Sequence, residues 1–466
     1  MMTKRIHLIG VAGTAMATLA AMLKQSGHEV SGSDEHVYPP MSDFLAAEQI
    51  RVMEGYRSEH VDGPIDLVVV GNAISRGNAE LEAVLDRGLR YASLPETIRE
   101  QWLWNADAVV IAGTHGKTTT TSLTGWLLTA AGADPTVLVG GIAKNLGAGG
   151  ASYRMGKGRS FVIEGDEYDS AYFDKTAKFL KYLPDIAVIN NIEFDHADIY
   201  RDLDEVRLAF RRLVNLVPTR GLTLLGIDSP DAAALRPHVR SRLQTFGMTD
   251  GADWRAEEVR MGSGTQFRVR HGARDLGLFT MGLLGDHNVR NALAAIAVGV
   301  DMGLDVDRLR DGLARFEGVK RRLEVVGEAK GVTVYDDFAH HPTAVAETLR
   351  AVKKASPGRR VWAIFEPRSA SSCRRVFQDD FARAFRGADE VVIASVFRSS
   401  LPVEERLSES ELVRDLTAAG THARHLPDVD SIVSAVAGEA RAGDLVVVMS
   451  NGGFGGIHRR LLDSLA

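Results

Sequence analysis

The stretch Ala112-Gly113-Thr114-His115-Gly116-Lys117-Thr118-Thr119-Thr120 restricts the possible folds of this chain more than any other. An apolar run, Ala108-Val109-Val110-Ile111, precedes it and an amphipathic segment follows. That order predicts a strand, a phosphate loop and a helix. Backbone N–H groups of such a loop, with the positive end of the helix dipole, wrap nucleotide phosphates; a lysine adds a mobile charge and a threonine a hydroxyl for Mg²⁺. Lys117 and Thr118 stand at those positions, among Gly113, Thr114, His115, Gly116 and Thr119, so the loop is read as an ATP site. Its spacing is shorter than GxxxxGK[ST], because Ile111 stands where the first glycine would fall and Gly113 takes over that part.

At 466 residues the chain is too long for one ordinary core, and domain sizes of this kind predict about three units. A net charge of −6, with arginines scattered along the chain, gives no basic footprint for nucleic acid and suits a small acidic substrate. The one cysteine, Cys373, rules out an internal disulfide framework and a cysteine-based zinc cage. It points to a reducing compartment, and the cytoplasm is expected. No stretch approaches the ~20 apolar residues that span a bilayer, so no membrane association is expected. Lys4 and Arg5 ahead of an apolar run imitate a signal peptide, but Gly10, Gly13, Thr14 and Thr18 interrupt it.

Three segments follow from the patterning. Residues 1–106 open with an apolar strand at 5–9, the turn Gly10-Val11-Ala12-Gly13-Thr14 and a helix to about Gly27, then reach Asp34. Asp34 lies 21 residues beyond Gly13, where an acidic residue would meet a ribose hydroxyl in a Rossmann-like unit. Ala12 and Ala15 stand where a dinucleotide fingerprint prefers glycine, so a different diphosphate fits the turn. In residues 107–318, the buried-strand patterns Phe161-Val162-Ile163 and Ile186-Ala187-Val188-Ile189 end in Glu164-Gly165-Asp166-Glu167-Tyr168-Asp169 and Asn190-Asn191-Ile192-Glu193-Phe194-Asp195-His196-Ala197-Asp198. Carboxylates and an imidazole thus collect where parallel strands end, the edge at which open α/β sheets bind ligands. Residues 319–466 carry four apolar runs, at 332–337, 361–366, 390–393 and 444–449, alternating with helix-like segments, which predicts another parallel sheet.

Phosphoryl transfer from ATP needs a hard metal held by oxygen and an occasional imidazole. Thr118, Glu164 and His196 could supply that set, although on local sequence His196 reads equally well as a capping or core histidine. Asp166, Glu167, Asp169, Asp195 and Asp198 read as supporting or solvated groups. Asn288 and Asn291, three residues apart on one helix face, could read an adenine edge, and capping is the plainer role for Asn288. The run Tyr335-Asp336-Asp337-Phe338-Ala339-His340-His341-Pro342 matches no standard zinc spacing and suits contacts with ATP, substrate or the incoming nucleophile. Arg321 and Arg322 read either as a phosphate clamp or as a solvated basic hinge.

Taken together, these ordered motifs closely resemble the Mur ligase family, ATP-dependent enzymes that form amide bonds onto UDP-N-acetylmuramic acid and its peptides. The resemblance covers the whole chain. It implies an α/β protein of three domains: a Rossmann-like N-terminal domain, a central P-loop ATP-binding parallel-sheet domain and a C-terminal Rossmann-like domain. It further implies ATP and Mg²⁺, catalytic roles for Lys117, His196, Arg322, Asp337 and His340, and nucleotide contacts from Asn288 and Asn291. Gly10, Ala12, Gly13, Thr14 and Asp34 would hold the UDP-sugar. The histidine of the phosphate loop and the run from Asp336 to Pro342 resemble the branch that ligates onto the muramyl lactate.

Members of that branch add either L-alanine or a recycled L-Ala-γ-D-Glu-meso-diaminopimelate tripeptide. Phe365-Glu366-Pro367-Arg368-Ser369 stands where the L-alanine-adding members typically show Phe-Gln-Pro-His-Arg-Tyr, and Ser450-Asn451-Gly452-Gly453 opens a longer glycine-rich ending. Both are similar to the tripeptide-adding members, so UDP-N-acetylmuramate and the tripeptide are the expected substrates, with L-alanine the alternative. His341, Arg368, Ser369 and His458, with Arg374 as a further candidate, would contact substrate, since arginine suits bidentate carboxylate recognition. Ala370-Ser371-Ser372-Cys373 departs from the family's Asn-Thr-Met, and no tripeptide contact is assigned to it. The carbamylated lysine of some sister ligases falls near Phe210 here, so none is expected. A nicotinamide-dependent oxidoreductase is the rival class, and it leaves the phosphate loop unexplained.

Overall fold

The computed structural model describes residues 2–397 and 401–466, which fall into two compact units. Among the described residues the first comprises 2–192, 206–246 and 294–305, and the second 193–205, 247–293, 306–397 and 401–466.

In the first unit, β1 (Arg5–Ile9), β2 (Glu29–Asp34), β3 (Arg51–Glu54), β4 (Leu67–Val70) and β5 (Tyr91–Ser93) form a sheet in the order β3-β2-β1-β4-β5, parallel throughout. Crossover helices cover such a sheet, so its central strands are apolar on both faces: Leu8, Ile9, Val68, Val69 and Val70 are fully buried. The helix Thr14–Gln25 follows β1 directly, with Gly13 at its N-cap.

The same unit holds β6 (Asp107–Ala112), β7 (Thr136–Ala143), β8 (Ala151–Arg154) and β9 (Ser160–Gly165), then a hairpin of β10 (Asp169–Ala171) and β11 (Asp174–Ala177), then β12 (Ile186–Ile189), β13 (Leu222–Gly226) and β14 (Arg242–Gly247). Their order is β14-β13-β12-β6-β9-β7-β8, with β10 and β11 apart. The ladder is parallel except at β8, which runs antiparallel to β7 and makes the sheet mixed where a parallel one was expected. Four residues separate the end of β6 from the start of the helix Lys117–Ala130. Thr121, Ser122 and Thr124 turn their hydroxyls onto the carbonyls of Lys117, Thr118 and Thr120, which lets a polar helix be buried without unmet donors.

The second unit contains an antiparallel meander, β15 (Trp254–Met261), β16 (Thr265–His271) and β17 (Arg274–Met281), beyond the strands expected from the apolar runs. It also contains β18 (Glu324–Ala329), β19 (Val332–Asp337), β20 (Val361–Phe365), β21 (Glu390–Ile393), β22 (His422–His425) and β23 (Leu445–Met449), ordered β18-β19-β23-β20-β21-β22. The four expected strands lie in the middle. The additions are the edge strands β18, antiparallel to β19, and β22, parallel to β21. Alternate residues of β20 and β23 feed two cores. Ala363, Phe365, Val447 and Met449 pack with Phe381 and Phe385, while Trp362, Ile364, Val446 and Val448 pack with Ile457, Leu461 and Leu465. No helix among the described residues is long and apolar enough to cross a membrane.

Candidate active site

In the first unit the turn after β6 is held open by backbone geometry. Gly113 has φ 137° and Gly116, the N-cap of the helix, φ 78°, conformations that L side chains rarely adopt. Asn191 ties the loop to the end of β12: Thr114 N–H donates to its carbonyl at 3.0 Å and His115 N–H to its Oδ1 at 2.7 Å. Asn190 Nδ2 donates to Thr120 Oγ1 at 2.9 Å. Lys117 curls back over the loop, donating to Gly113 O at 2.8 Å and pairing with Glu167 Oε2 at 2.7 Å. Burial pushes the Lys117 amine down, but Glu167, Asp166 and Glu164 together outweigh it and hold its pKa above the ordinary value. Glu167, read from sequence as supporting or solvated, is therefore the main counter-ion of the loop lysine and only 2% exposed.

Thr118 Oγ1 donates to Glu164 Oε1 at 3.0 Å, and Glu164 Oε2 accepts from Gly140 N–H at 2.8 Å. A hydroxyl and a carboxylate side by side at the first turn of a phosphate-loop helix are hard oxygen donors, which suits Mg²⁺. In the N-terminal turn, Asp34 Oδ2 accepts from Ala12 N–H at 2.9 Å and Oδ1 from His36 N–H at 3.2 Å. Asp34 thus braces the glycine turn around Gly10, Gly13 and Thr14 from the end of β2.

In the second unit, Asp195 is 4% exposed and close to three imidazoles. Burial raises its pKa, but His196, His340, His341 and the Ser371 hydroxyl override that and hold it well below the usual carboxylate range. Of the two roles read from sequence, supporting or solvated, its surroundings exclude the solvated one. His196 has φ 55°, a left-handed conformation that positions its carbonyl to accept from Ile199 and Tyr200 N–H. His341 caps the helix Pro342–Ala355: its Nδ1 accepts from Thr343 N–H at 3.3 Å, and Nε2 lies 3.2 Å from Phe194 O. The tautomer protonated on Nε2 satisfies both contacts. His340 Nδ1 is 2.9 Å from Phe338 O.

Asp337, 6% exposed, accepts from Leu323 N–H at 2.6 Å and Ala339 N–H at 2.8 Å. Arg321 and Arg322 both lie over the Phe338 ring, and Arg321 also reaches Ser450 O and Gly452 O. His458 faces Asp336 at 3.3 Å. Ser369 closes a turn through Ser372 and is itself buried, and Arg374 pairs with Glu405. Cys373 is buried, with Sγ 3.3 Å from Pro367 O.

Asn288 donates to Leu284 O at 2.7 Å and accepts from Asn291 Nδ2 at 3.1 Å, so the two amides form one chain on the helix Asp286–Asp301. Next to them His287 packs near Glu347, Arg290, Asp286 and Asp337. Burial lowers its pKa below the ordinary 6.5, more than Glu347 and the aspartates raise it. A depressed histidine leaves its stability contribution intact above pH 6.5 and loses it as the pH falls toward the folded value. We therefore expect the melting temperature of the wild type to fall between neutral and mildly acidic pH more steeply than that of His287→Gln. Parallel pH profiles for the two would remove His287 as a cause.

Fold and loop together define the class: an α/β nucleotide-binding protein whose phosphate loop joins a central strand to a buried helix. Models of the Mur ligase family, catalytic domain, the Mur ligase middle domain and the Mur ligase, glutamate ligase domain match residues 5–101, 111–299 and 321–452. The chain belongs to the Mur ligase family, whose members are ATP-dependent ligases that form C–N bonds.

Within the family the chain is 38% identical, over 99% of its own length and 98% of the relative's, to the UDP-N-acetylmuramate–L-alanyl-γ-D-glutamyl-meso-2,6-diaminoheptandioate ligase of Escherichia coli K12. It is 35% identical, over 99% and 98%, to a UDP-N-acetylmuramate–L-alanine ligase of Desulforapulum autotrophicum. Among solved structures, a murein peptide ligase from Psychrobacter arcticus aligns over 99% of this chain and 98% of its own, with a TM-score of 0.72 and 37% identity.

Proposed function

We propose that this chain is an ATP-dependent ligase that joins L-alanyl-γ-D-glutamyl-meso-diaminopimelate to UDP-N-acetylmuramate, returning a recycled cell-wall peptide to nucleotide-linked form in the cytoplasm. The observation that carries this reading is full-length similarity to a ligase named for that tripeptide, together with Glu366 and Arg368 at the end of β20.

The reaction has two stages. The γ-phosphoryl group of ATP passes to the muramyl carboxylate, giving an acyl phosphate and ADP. The alanyl amine then attacks the acyl carbon and phosphate leaves. Lys117 places a fixed positive charge beside the loop that would cradle the transferring phosphoryl group, which is positioning plus electrostatic stabilisation. Thr118 and Glu164 are the proposed holders of Mg²⁺ in the first unit, and the ion would neutralise phosphate charge when bound. Asn288 and Asn291 are the proposed adenine contacts. The first turn of the helix Thr14–Gln25, entered through Gly10, Ala12 and Gly13 and braced by Asp34, offers its backbone N–H groups to the UDP diphosphate.

In the second unit, Arg322 and His340 are assigned to the phosphoryl and acyl groups, and Asp337 acts by positioning the backbone that carries them. His341, Arg368, Ser369 and His458 are assigned to the peptide side.

Phosphate release with ATP and UDP-N-acetylmuramate tests the reading. We expect kcat/KM with tripeptide to exceed that with L-alanine by at least about 100-fold, because a pocket with charged groups left unpaired rejects the smaller substrate. Preference for L-alanine would move the chain to the alanine-adding branch.

A further inference from the structure

The strands β19, β23 and β20 are neighbours in the second unit's sheet, and their carboxyl ends bring Asp336, Ser450 and Glu366 to one edge. Glu366 is 7% exposed, and its Oε2 accepts from Ser450 Oγ, which in turn accepts from Gly452 N–H at 2.9 Å. Arg321 fixes this loop from the other side through the carbonyls of Ser450 and Gly452. Gly452 itself lies against Arg368: a Cβ there would be 2.2 Å from Arg368 Nε, so a side chain at this position would push the guanidinium from its place. Arg368 lies over the Phe397 ring, 3.6 Å from its centroid.

Within this frame a cation and an anion stand side by side but are not closed on each other. Arg368 Nη1 is 3.6 Å from Glu366 Oε1, an ion-pair separation longer than a hydrogen bond. The guanidinium makes no hydrogen bond among the described residues, so its planar donors are uncommitted. Asn451 Oδ1, next along the loop, is buried with no hydrogen-bond partner among the described residues. A free carboxylate would pair with Arg368 alone but would be repelled by Glu366. A free ammonium would have the reverse difficulty. A group carrying both on one carbon satisfies the pair: carboxylate on the guanidinium fork, ammonium on the anchored carboxylate.

We propose that Glu366 is a specificity-determining residue that, with Arg368, reads the terminal α-amino acid group of the diamino diacid at the far end of the peptide. Glu366 takes the ammonium and Arg368 the carboxylate. This rests on the tripeptide reading above. It adds what Arg368 by itself does not supply, namely a requirement for the amine.

The test uses three tripeptides that differ in the last residue: meso-diaminopimelate, 2-aminopimelate, which lacks the distal ammonium, and L-lysine, which lacks the distal carboxylate. Wild-type kcat/KM, read by phosphate release, is expected to favour the diaminopimelyl peptide over each analogue by about 10- to 100-fold. Glu366→Gln should lose the discrimination against the aminopimelyl peptide and keep that against the lysyl peptide, and Arg368→Gln should do the reverse. Ser450→Ala, which removes the hydroxyl that orients Glu366 and accepts from Gly452 N–H, should move in the direction of Glu366→Gln with smaller amplitude, and it serves if Glu366→Gln does not fold.

Equal use of all three peptides by the wild type would overturn the subsite and leave the ligase reading standing. So would full discrimination in Glu366→Gln. Phosphate release with L-alanine and with no tripeptide would overturn the ligase reading and this inference with it.

Discussion

Lys117→Ala is expected to lower turnover by at least about 10²–10³-fold, the usual cost of removing one preorganised charge from a transition-state site. Two further consequences follow from how the side chain is held. Lys117 binds the carbonyls of Gly113 and Thr114 at 2.8 and 3.3 Å, so alanine also loosens the loop. It also removes the cation paired with Glu167, which is 2% exposed, and breaking a buried pair from one side costs about 3–5 kcal/mol. A single variant therefore confounds lost chemistry with lost stability. The double variant Lys117→Met with Glu167→Gln replaces the pair by groups of similar size and no net charge. Its thermal stability should return toward wild type while its turnover stays as low as that of Lys117→Ala. Turnover within about tenfold of wild type in Lys117→Ala would refute the assignment of Lys117 to the phosphoryl group.

What the sequence made legible, and what it hid, divides along the same line between local and distant contacts. The phosphate loop, the helix after it and the N-terminal turn could be read because strand, glycine turn and helix follow each other within a few residues. Glu167 could not be singled out. It sits 50 residues from Lys117 in a run of four carboxylates, and only the path of the chain after β9 decides which of them turns inward.

Asp34 was legible as a marked position at the end of β2. Its acceptance of Ala12 N–H depends on the fold of the glycine turn, which spacing does not describe.

Among the strands, β20 and β23 stand out because both their faces are buried, so they read as continuous apolar runs. The edge strands β18 and β22 and the meander β15–β17 carry charge on their open faces, as at Arg255, Glu257, Arg268 and Arg270. That alternation is weaker as a signal than an unbroken apolar stretch. It also suits an edge, where charge discourages pairing with another chain.

Asp337→Ala should release the segment that carries Arg321 and Arg322, and the effect should be local before it is global. Arg321 and Leu323 have φ 61° and 49°, two left-handed non-glycine residues within three positions, each costing about 1–3 kcal/mol that the surroundings must offset. Asp337 supplies much of that offset: it accepts from Leu323 N–H at 2.6 Å and Ala339 N–H at 2.8 Å, and the Thr348 hydroxyl lies 3.3 Å from the same carboxylate. Alanine would leave two amides without their acceptor. Amide exchange at Leu323 and Ala339 should therefore quicken by about 30- to 1000-fold, equivalent to about 2–4 kcal/mol of local opening.

Burial raises the Asp337 pKa above 3.8, and Arg322, the two N–H groups and His287 only partly counter it. For a carboxyl raised in this way, the stabilising contribution is complete below pH 3.8 and declines as the pH rises through the folded value. Relative to Asp337→Asn, wild-type protection of the Leu323 and Ala339 amides should decline over that same window. If Asp337→Ala loses turnover while both amides keep wild-type protection, the carboxylate acts on the reacting groups directly, and its positioning role falls.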